Sequence, residues 1–245
     1  MPAHPASASA PRRRAPILIA LGAIVAVILG VGIYAFASTA DSAVPEAQAS
    51  TLPEGVDADG GITLGVDGAV GTEAATDVPT VELYFDFACS HCATFEEEVV
   101  PELEELLSAG EIAIVQHPVA ILDGYFESAY SSRAAAAAMA VAESDPQAYT
   151  AFVAALMAAQ SDMGSDGFTD AQIADIAADA GVSQEGQTAI EGTDYEDIAV
   201  AATEAAVSDG LTGTPSVAID GEFLDYNEIN YMEPGVLVDY LATLG

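Results

Sequence analysis

The 245 residues carry 39 acidic side chains against four basic ones, a formal net charge of −35 at pH 7, with two cysteines and no tryptophan. Such a charge excludes nucleic acid as a partner and repels an anionic membrane face; its plain meaning is solubility or tolerance of salt. All 39 acidic residues lie after residue 40, where Arg133 is the single base.

The chain opens on a polar stretch, residues 1–15, ending in Arg12-Arg13-Arg14. Ile17 to Ala37 then runs for 21 residues without a charge, which as a helix is about 30 Å long, enough to cross a bilayer core. Arginines on the preceding side keep that side cytoplasmic. Ala35-Phe-Ala37 would suit a signal peptidase, but the apolar core of a signal peptide is usually about 7–15 residues. We expect a retained anchor over 16–37, single-pass, with the N-terminus in the cytoplasm and the rest extracytoplasmic, where a disulfide can persist. Residues 38–60 are rich in Ala, Ser, Pro, Asp and Glu and read as a flexible linker. Residues 61–245 suffice for one domain with its own core.

Within that domain Ile62–Val66 reads as a first strand and Val78–Phe87 as the strongest one. From Cys92 onward Phe95, Val99, Leu103 and Leu106 fall at helical spacing, and Pro101 predicts a kink. Glu111–Val115 alternates as a further strand, ending at Gln116-His-Pro118. Residues 124–210 read as almost wholly helical, with the alanine run 134–138 as a strong helix former. Thr169-x-x-Gln172 and Thr193-x-x-Glu196 have the form of capping boxes, and Gly181 that of a helix stop. Strand period returns at Pro215–Asp220, Gly221-Glu222 turns into Phe223-Leu224, and Pro234 starts a last helix facing inward through Leu237, Tyr240, Leu241 and Leu244.

Chemistry concentrates at Cys89-Ser-His-Cys92, where the strand hands over to the helix. Three readings compete for the pair. A structural disulfide would staple only a four-residue loop and remove little entropy. A metal site needs about four ligands, and only His91 and His117 could join the sulfurs. A redox dithiol suits the place best, because a helix N-terminus favours the thiolate of the first sulfur. Cys89 is then the nucleophile, Cys92 the resolving cysteine, and His91 a donor of a hydrogen bond or positive charge to the thiolate. No metal and no cofactor is called for beyond the Cys89–Cys92 disulfide.

Phe85-Asp-Phe-Ala-Cys-Ser-His-Cys92, His117-Pro-Val-Ala-Ile-Leu-Asp123, Tyr130-Ser-Ser-Arg-Ala134 and Gly213-Thr-Pro-Ser-Val217 together resemble the DsbA-like thiol:disulfide oxidoreductase family, in its membrane-anchored Gram-positive branch. The resemblance covers about residues 61–245. It implies an α/β thioredoxin-like fold, a central mixed sheet flanked by helices, with a helical subdomain inserted at about 124–210. It also implies a cis Thr214–Pro215 bond beside the dithiol, and substrate binding by Thr214, Pro215 and Ser90. Ser90 stands where relatives usually carry proline. Leu83 stands where many carry a buried glutamate; Glu82 and Asp86 share a face by strand period, and either could relay protons, although a solvated or capping carboxylate is the simpler role. His117 reads as a loop residue rather than a catalyst. The expected function is an extracytoplasmic oxidase introducing disulfides into reduced or unfolded exported proteins, monomeric, reoxidised by an integral-membrane partner. A reductase or isomerase on the same scaffold, or a non-catalytic peptide-binding module, are the rival readings.

Overall fold

The computed structural model describes residues 52–244. The expected cytoplasmic stretch 1–15, the anchor 16–37 and the linker up to residue 51 lie outside the described residues. No helix among the described residues is long and apolar enough to cross a membrane.

Five strands, β1 (Ile62–Leu64), β2 (Thr80–Phe85), β3 (Ala113–Pro118), β4 (Ser216–Ile219) and β5 (Glu222–Phe223), form one sheet in the order β1-β3-β2-β4-β5. β2 pairs parallel with β3 and antiparallel with β4, and both edge strands pair antiparallel. The thioredoxin-like mixed sheet is therefore as expected. Val81, Leu83 and Phe85 of β2 are buried, alternating with half-buried residues on the other face, as period 2 requires.

Two helices follow β2: α1 (Ser90–Glu98) and α2 (Val100–Ala109). The kink expected at Pro101 is a full break at Val99, with Pro101 inside the first turn of α2. Proline there lacks an N–H that has no partner anyway, whereas in a continuous helix its ring would meet the carbonyl four residues back.

Between β3 and β4 lies the helical insert: α3 (Tyr130–Ser144), α4 (Tyr149–Ala158), α5 (Asp170–Asp179), α6 (Gln184–Gly192) and α7 (Glu196–Ser208). α3 is its axis, packed by α4, α6 and α7, and every residue from Ala134 to Ala142 is buried. Arg133 ties this bundle together, donating to the Ser128 and Phe168 carbonyls and pairing with Asp170 at the start of α5. Thr169 and Gln172 form the expected capping box of α5. The second expected box is absent: Thr193 ends α6, its hydroxyl accepts from the Tyr195 N–H, and Tyr195 itself precedes α7. Two helices crowd this junction, so the threonine closes one instead of opening the next.

The folded region also begins earlier than the linker boundary at 60 suggested. Pro53, Val56 and Gly60 are buried, and Val56 bridges to Ile62. A β-carbon on Gly60 would collide with that of Ala202 in α7, and one on Gly55 would crowd Val70, so both glycines sit directly against the folded body. The hairpin turn after β4 uses Asp220 and Gly221, both at positive φ, one residue earlier than expected. The last helix, α8 (Val236–Leu241), starts after Gly235 and ends before Leu244, which leaves Leu237 and Leu241 buried and Leu244 exposed.

Candidate active site

β2 runs out at Phe85, and a tight turn carries the chain into α1. The Cys89 N–H donates to the Asp86 carbonyl at 2.9 Å, and the Ala88 N–H to Asp86 Oδ1 at 2.9 Å. Cys89 is the capping residue of α1, in extended conformation, while Cys92 and Ala93 return their N–H groups to its carbonyl. Its sulfur thus occupies the place where a serine or aspartate oxygen would receive the unpaired amides of the first turn. Both cysteines are free thiols.

The two sulfurs are driven apart electrostatically. Cys89 is pulled down to about 5, first by the hydrogen bond from the Cys92 thiol, then by Thr214 and by the backbone N–H groups of Cys92 and His91, against a cost of burial. Cys92, 2 % exposed, is pushed far up, first by burial, then by the hydrogen bond it gives Cys89 and by the charge of that sulfur. One sulfur is a thiolate near neutral pH and the other a thiol that solvates it.

Antiparallel pairing of β4 with β2, with Tyr84 opposite Ser216, places the start of β4 beside the end of β2. The preceding Thr214–Pro215 bond is cis, and the Cys89 thiol donates to the Thr214 carbonyl at 3.3 Å. Cys89, Cys92, Thr214 and Pro215 are therefore brought together. His91 is exposed, and of its groups the backbone N–H is the one that helps lower the Cys89 thiol. Ser90 is exposed at the first position of α1, bordering a cleft of about 540 Å³ between α1 and α4 whose other walls include Thr94, Glu96 and Met157.

The carboxylates that share a face by strand period part company. Glu82 stays in the ladder, half-buried, accepting from the Tyr84 hydroxyl at 3.0 Å, with His117 Nε2 at 3.5 Å, an ion-pair contact longer than a good hydrogen bond. His117 and Tyr84 together hold Glu82 below the usual carboxylate range. His117 is a buried strand residue stacked on Tyr84 at 4.3 Å, not the loop histidine expected, because β3 extends to Pro118. It turns to Glu82, and no cluster among the described residues assembles three metal-ligating side chains.

Asp86 lies past the last residue of β2 and takes a different direction. It is 0 % exposed, and its carboxylate accepts from the Ala88 N–H, from the Ser131 hydroxyl at 2.8 Å and from the Leu122 N–H at 2.9 Å. Burial pushes it up to about 6 in spite of these donors, and the Cys89 charge adds to the rise. Ser131 belongs to α3, so Asp86 links the dithiol turn to the insert. Gln160, in the 3-10 turn after α4, makes a second link, donating to the Ala88 carbonyl at 3.2 Å. Neither role was visible in the sequence. The one signal was that Ser131 falls within the Tyr130–Ala134 segment of the resemblance.

Comparison with known proteins agrees with this geometry. A family model described as thioredoxin matches residues 64–233. The thiol-disulfide oxidoreductase MdbA of Actinomyces oris superposes with a TM-score of 0.64 at 27% identity, over 78% of this chain and 92% of that one. Oxidised DsbA of Mycobacterium tuberculosis superposes with a TM-score of 0.53 at 29% identity, over 68% of this chain and 89% of that one. In sequence the chain is 30% identical over 168 residues to the serine/threonine-protein kinase PknE of Mycobacterium tuberculosis, spanning 64% of this chain but only 29% of the kinase. A matched family over most of the domain, and a similar structure that is a thiol-disulfide oxidoreductase, fit the paired sulfurs at the head of α1: the chain belongs to the thioredoxin family, as a DsbA-like thiol–disulfide oxidoreductase.

Proposed function

We propose that this oxidoreductase works as an oxidase, passing the Cys89–Cys92 disulfide to reduced, unfolded exported polypeptides. The observation that carries this reading is the separation of the two sulfurs, Cys89 drawn down to about 5 and Cys92 driven far up. A stabilised thiolate stabilises the dithiol form, which makes the disulfide the stronger oxidant; each 1.4 kcal/mol of such stabilisation is worth roughly 30 mV. In the reaction a substrate thiolate attacks Cys89 Sγ. The S–S bond breaks, its electron pair leaves on Cys92, and Cys92 takes up a proton. The second substrate thiolate then attacks its partner sulfur in the mixed disulfide and expels Cys89 as the thiolate. The substrate loses two electrons and the enzyme gains them, so no cofactor is needed beyond the disulfide.

The uncharged run after Arg12–Arg14 anchors the chain in a membrane with the dithiol domain on the oxidising side, where an integral-membrane partner restores the disulfide. The net charge of −35 keeps nucleic acid away and suits a soluble monomeric domain on that tether. The test is equilibration of the purified chain with glutathione and incubation of its oxidised form with a reduced, unfolded protein. An oxidase equilibrates well above the potential of a thioredoxin-type reductant, about −270 mV, and forms disulfides in the substrate. A chain that reduces protein disulfides readily but forms none overturns the proposal.

A further inference from the structure

Three consecutive carbonyls before β4 meet three different donors. Gly213 accepts from the Ser216 hydroxyl at 2.7 Å, Thr214 from the Cys89 thiol at 3.3 Å, and Pro215 from the Tyr231 hydroxyl at 3.2 Å. The first and third donors do not change during thiol–disulfide exchange. The second does, because Cys89 carries a hydrogen only in the thiol form. Once its sulfur is a thiolate or part of a disulfide, the Thr214 carbonyl loses its donor. The Thr214 N–H has no hydrogen-bond partner among the described residues. In the reacting state the Thr214 peptide therefore presents a free donor and a free acceptor beside the sulfur, which an extended polypeptide can satisfy by strand pairing. Pro215 adds no N–H of its own, and its carbonyl is already taken.

Tyr231 is built to keep it so. The residue comes from the segment after β5 and is 5 % exposed. Its ring meets Phe95 of α1 edge to face at 6.4 Å, so it touches the helix that carries both sulfurs as well as the loop that faces them. On its outer side it is covered by the half-exposed ring of Tyr226 at 5.4 Å.

We propose that Tyr231 is a positioning residue for polypeptide substrates: its hydroxyl holds the Pro215 carbonyl, which orients the Thr214 peptide as the pairing edge beside Cys89. The inference rests on the polypeptide-oxidase reading above. No hydrogen bond joins Tyr231 to either sulfur among the described residues, and the one its hydroxyl donates goes to the Pro215 carbonyl, so its effect falls first on how a polypeptide is held.

The test compares Tyr231→Phe with the wild-type chain and with Tyr226→Phe, which removes a hydroxyl that does not bond the loop. Each oxidised protein is assayed against a synthetic extended peptide bearing two cysteines and against glutathione, with the Cys89 titration followed by thiolate absorbance. We expect Tyr231→Phe to raise KM for the peptide about fivefold, the scale of one lost hydrogen bond. Its glutathione rate, Cys89 titration and kcat should match the wild type, and Tyr226→Phe should match it throughout. An unchanged peptide KM overturns the inference, and so does a parallel fall in the peptide and glutathione rates, which marks a merely structural tyrosine. A wild-type chain that reacts with glutathione but not with the peptide instead overturns the reading beneath it.

Discussion

The sheet with α1 contributes both cysteines and the Thr214–Pro215 loop, whereas the insert over α3–α7 meets the dithiol turn through hydrogen bonds of Ser131 and Gln160. The two regions are also held differently. The sheet half depends on pairings distant in sequence, such as Tyr84 with Ser216, and its side chains are branched and aromatic. The insert is a bundle of local helices around α3, where alanines let the helix axes approach closely. Reactive groups come from the half in which distant segments converge. The other half offers a rigid wall that steadies one turn, the Asp86–Ala88 segment, from outside.

Breaking the sulfur pair has the largest effect. Cys89→Ala abolishes exchange, while Cys92→Ala leaves a nucleophile without a resolving partner and accumulates mixed disulfides with substrates, visible on non-reducing gels. Adducts trapped by the Cys89 variant instead would reverse the assignment.

Overpacking the axis of the insert comes next. Ala138 is fully buried on α3, so Ala138→Leu must displace a neighbouring helix at a cost of about 1–3 kcal/mol. Denaturant melts should show that loss, and if the insert only steadies the turn, the folded fraction keeps a Cys89 titration near the wild-type value. A large shift in that titration would mean the insert tunes the sulfur directly.

The dithiol form should gain stability over the disulfide form as pH rises. Cys89 titrates near 5 when folded and near its ordinary value when unfolded, so the thiolate's contribution is fully present above the unfolded value and is lost as pH falls through about 5. Melting curves of the two forms should diverge from pH 5 upward. Asp86 acts in the opposite sense: raised to about 6 by burial, it favours the folded state at low pH and loses that contribution as pH rises through 6. Equal pH dependence in both redox forms would contradict the thiolate assignment.

Asp86→Asn removes a buried charge close to Cys89 and leaves the Leu122 N–H without its acceptor. The Cys89 titration should move further down, with the 240 nm absorbance curve losing any inflection near 6. A curve that moves up would show that Asp86 serves the thiolate as a scaffold more than it opposes it as a charge. The smallest effect is expected for His91→Ala. The group of His91 that helps lower Cys89 is its backbone N–H, which alanine keeps, so the titration should rise only slightly. A rise comparable to the effect of Asp86→Asn would restore the imidazole to the site.

Periodicity and composition were enough for the local elements. Val81, Leu83 and Phe85 alternate, the alanine run of α3 is helical by propensity, and Thr169 with Gln172 caps α5 through contacts three residues apart. The dithiol was legible because C-x-x-C at a strand–helix junction needs only neighbours in sequence, and the cis bond because the Gly213–Val217 segment carried the family likeness. Failures came where neighbours in space competed. Thr193 was captured by the end of α6, His117 was drawn into β3 by its pairing with Tyr84, and the stretch before β1 was drawn into the fold, Val56 by a bridge to Ile62 and Gly60 by Ala202 of α7.

Only the tertiary structure decided which carboxylate joins the dithiol turn. Glu82 and Asp86 are equivalent by strand period, but β2 ends between them, so one remains in the ladder beside His117 while the other turns inward to Ser131, Leu122 and the Cys89 turn. The same holds for Gln160 and Tyr231, which act on residues 72 and 16 positions away. The residues themselves settled what chemistry is present, because a thiol pair and a helix start are local facts. Which groups surround that pair depends on strand order and on the packing of the insert, and those are set by the burial of the whole core rather than by any segment of it.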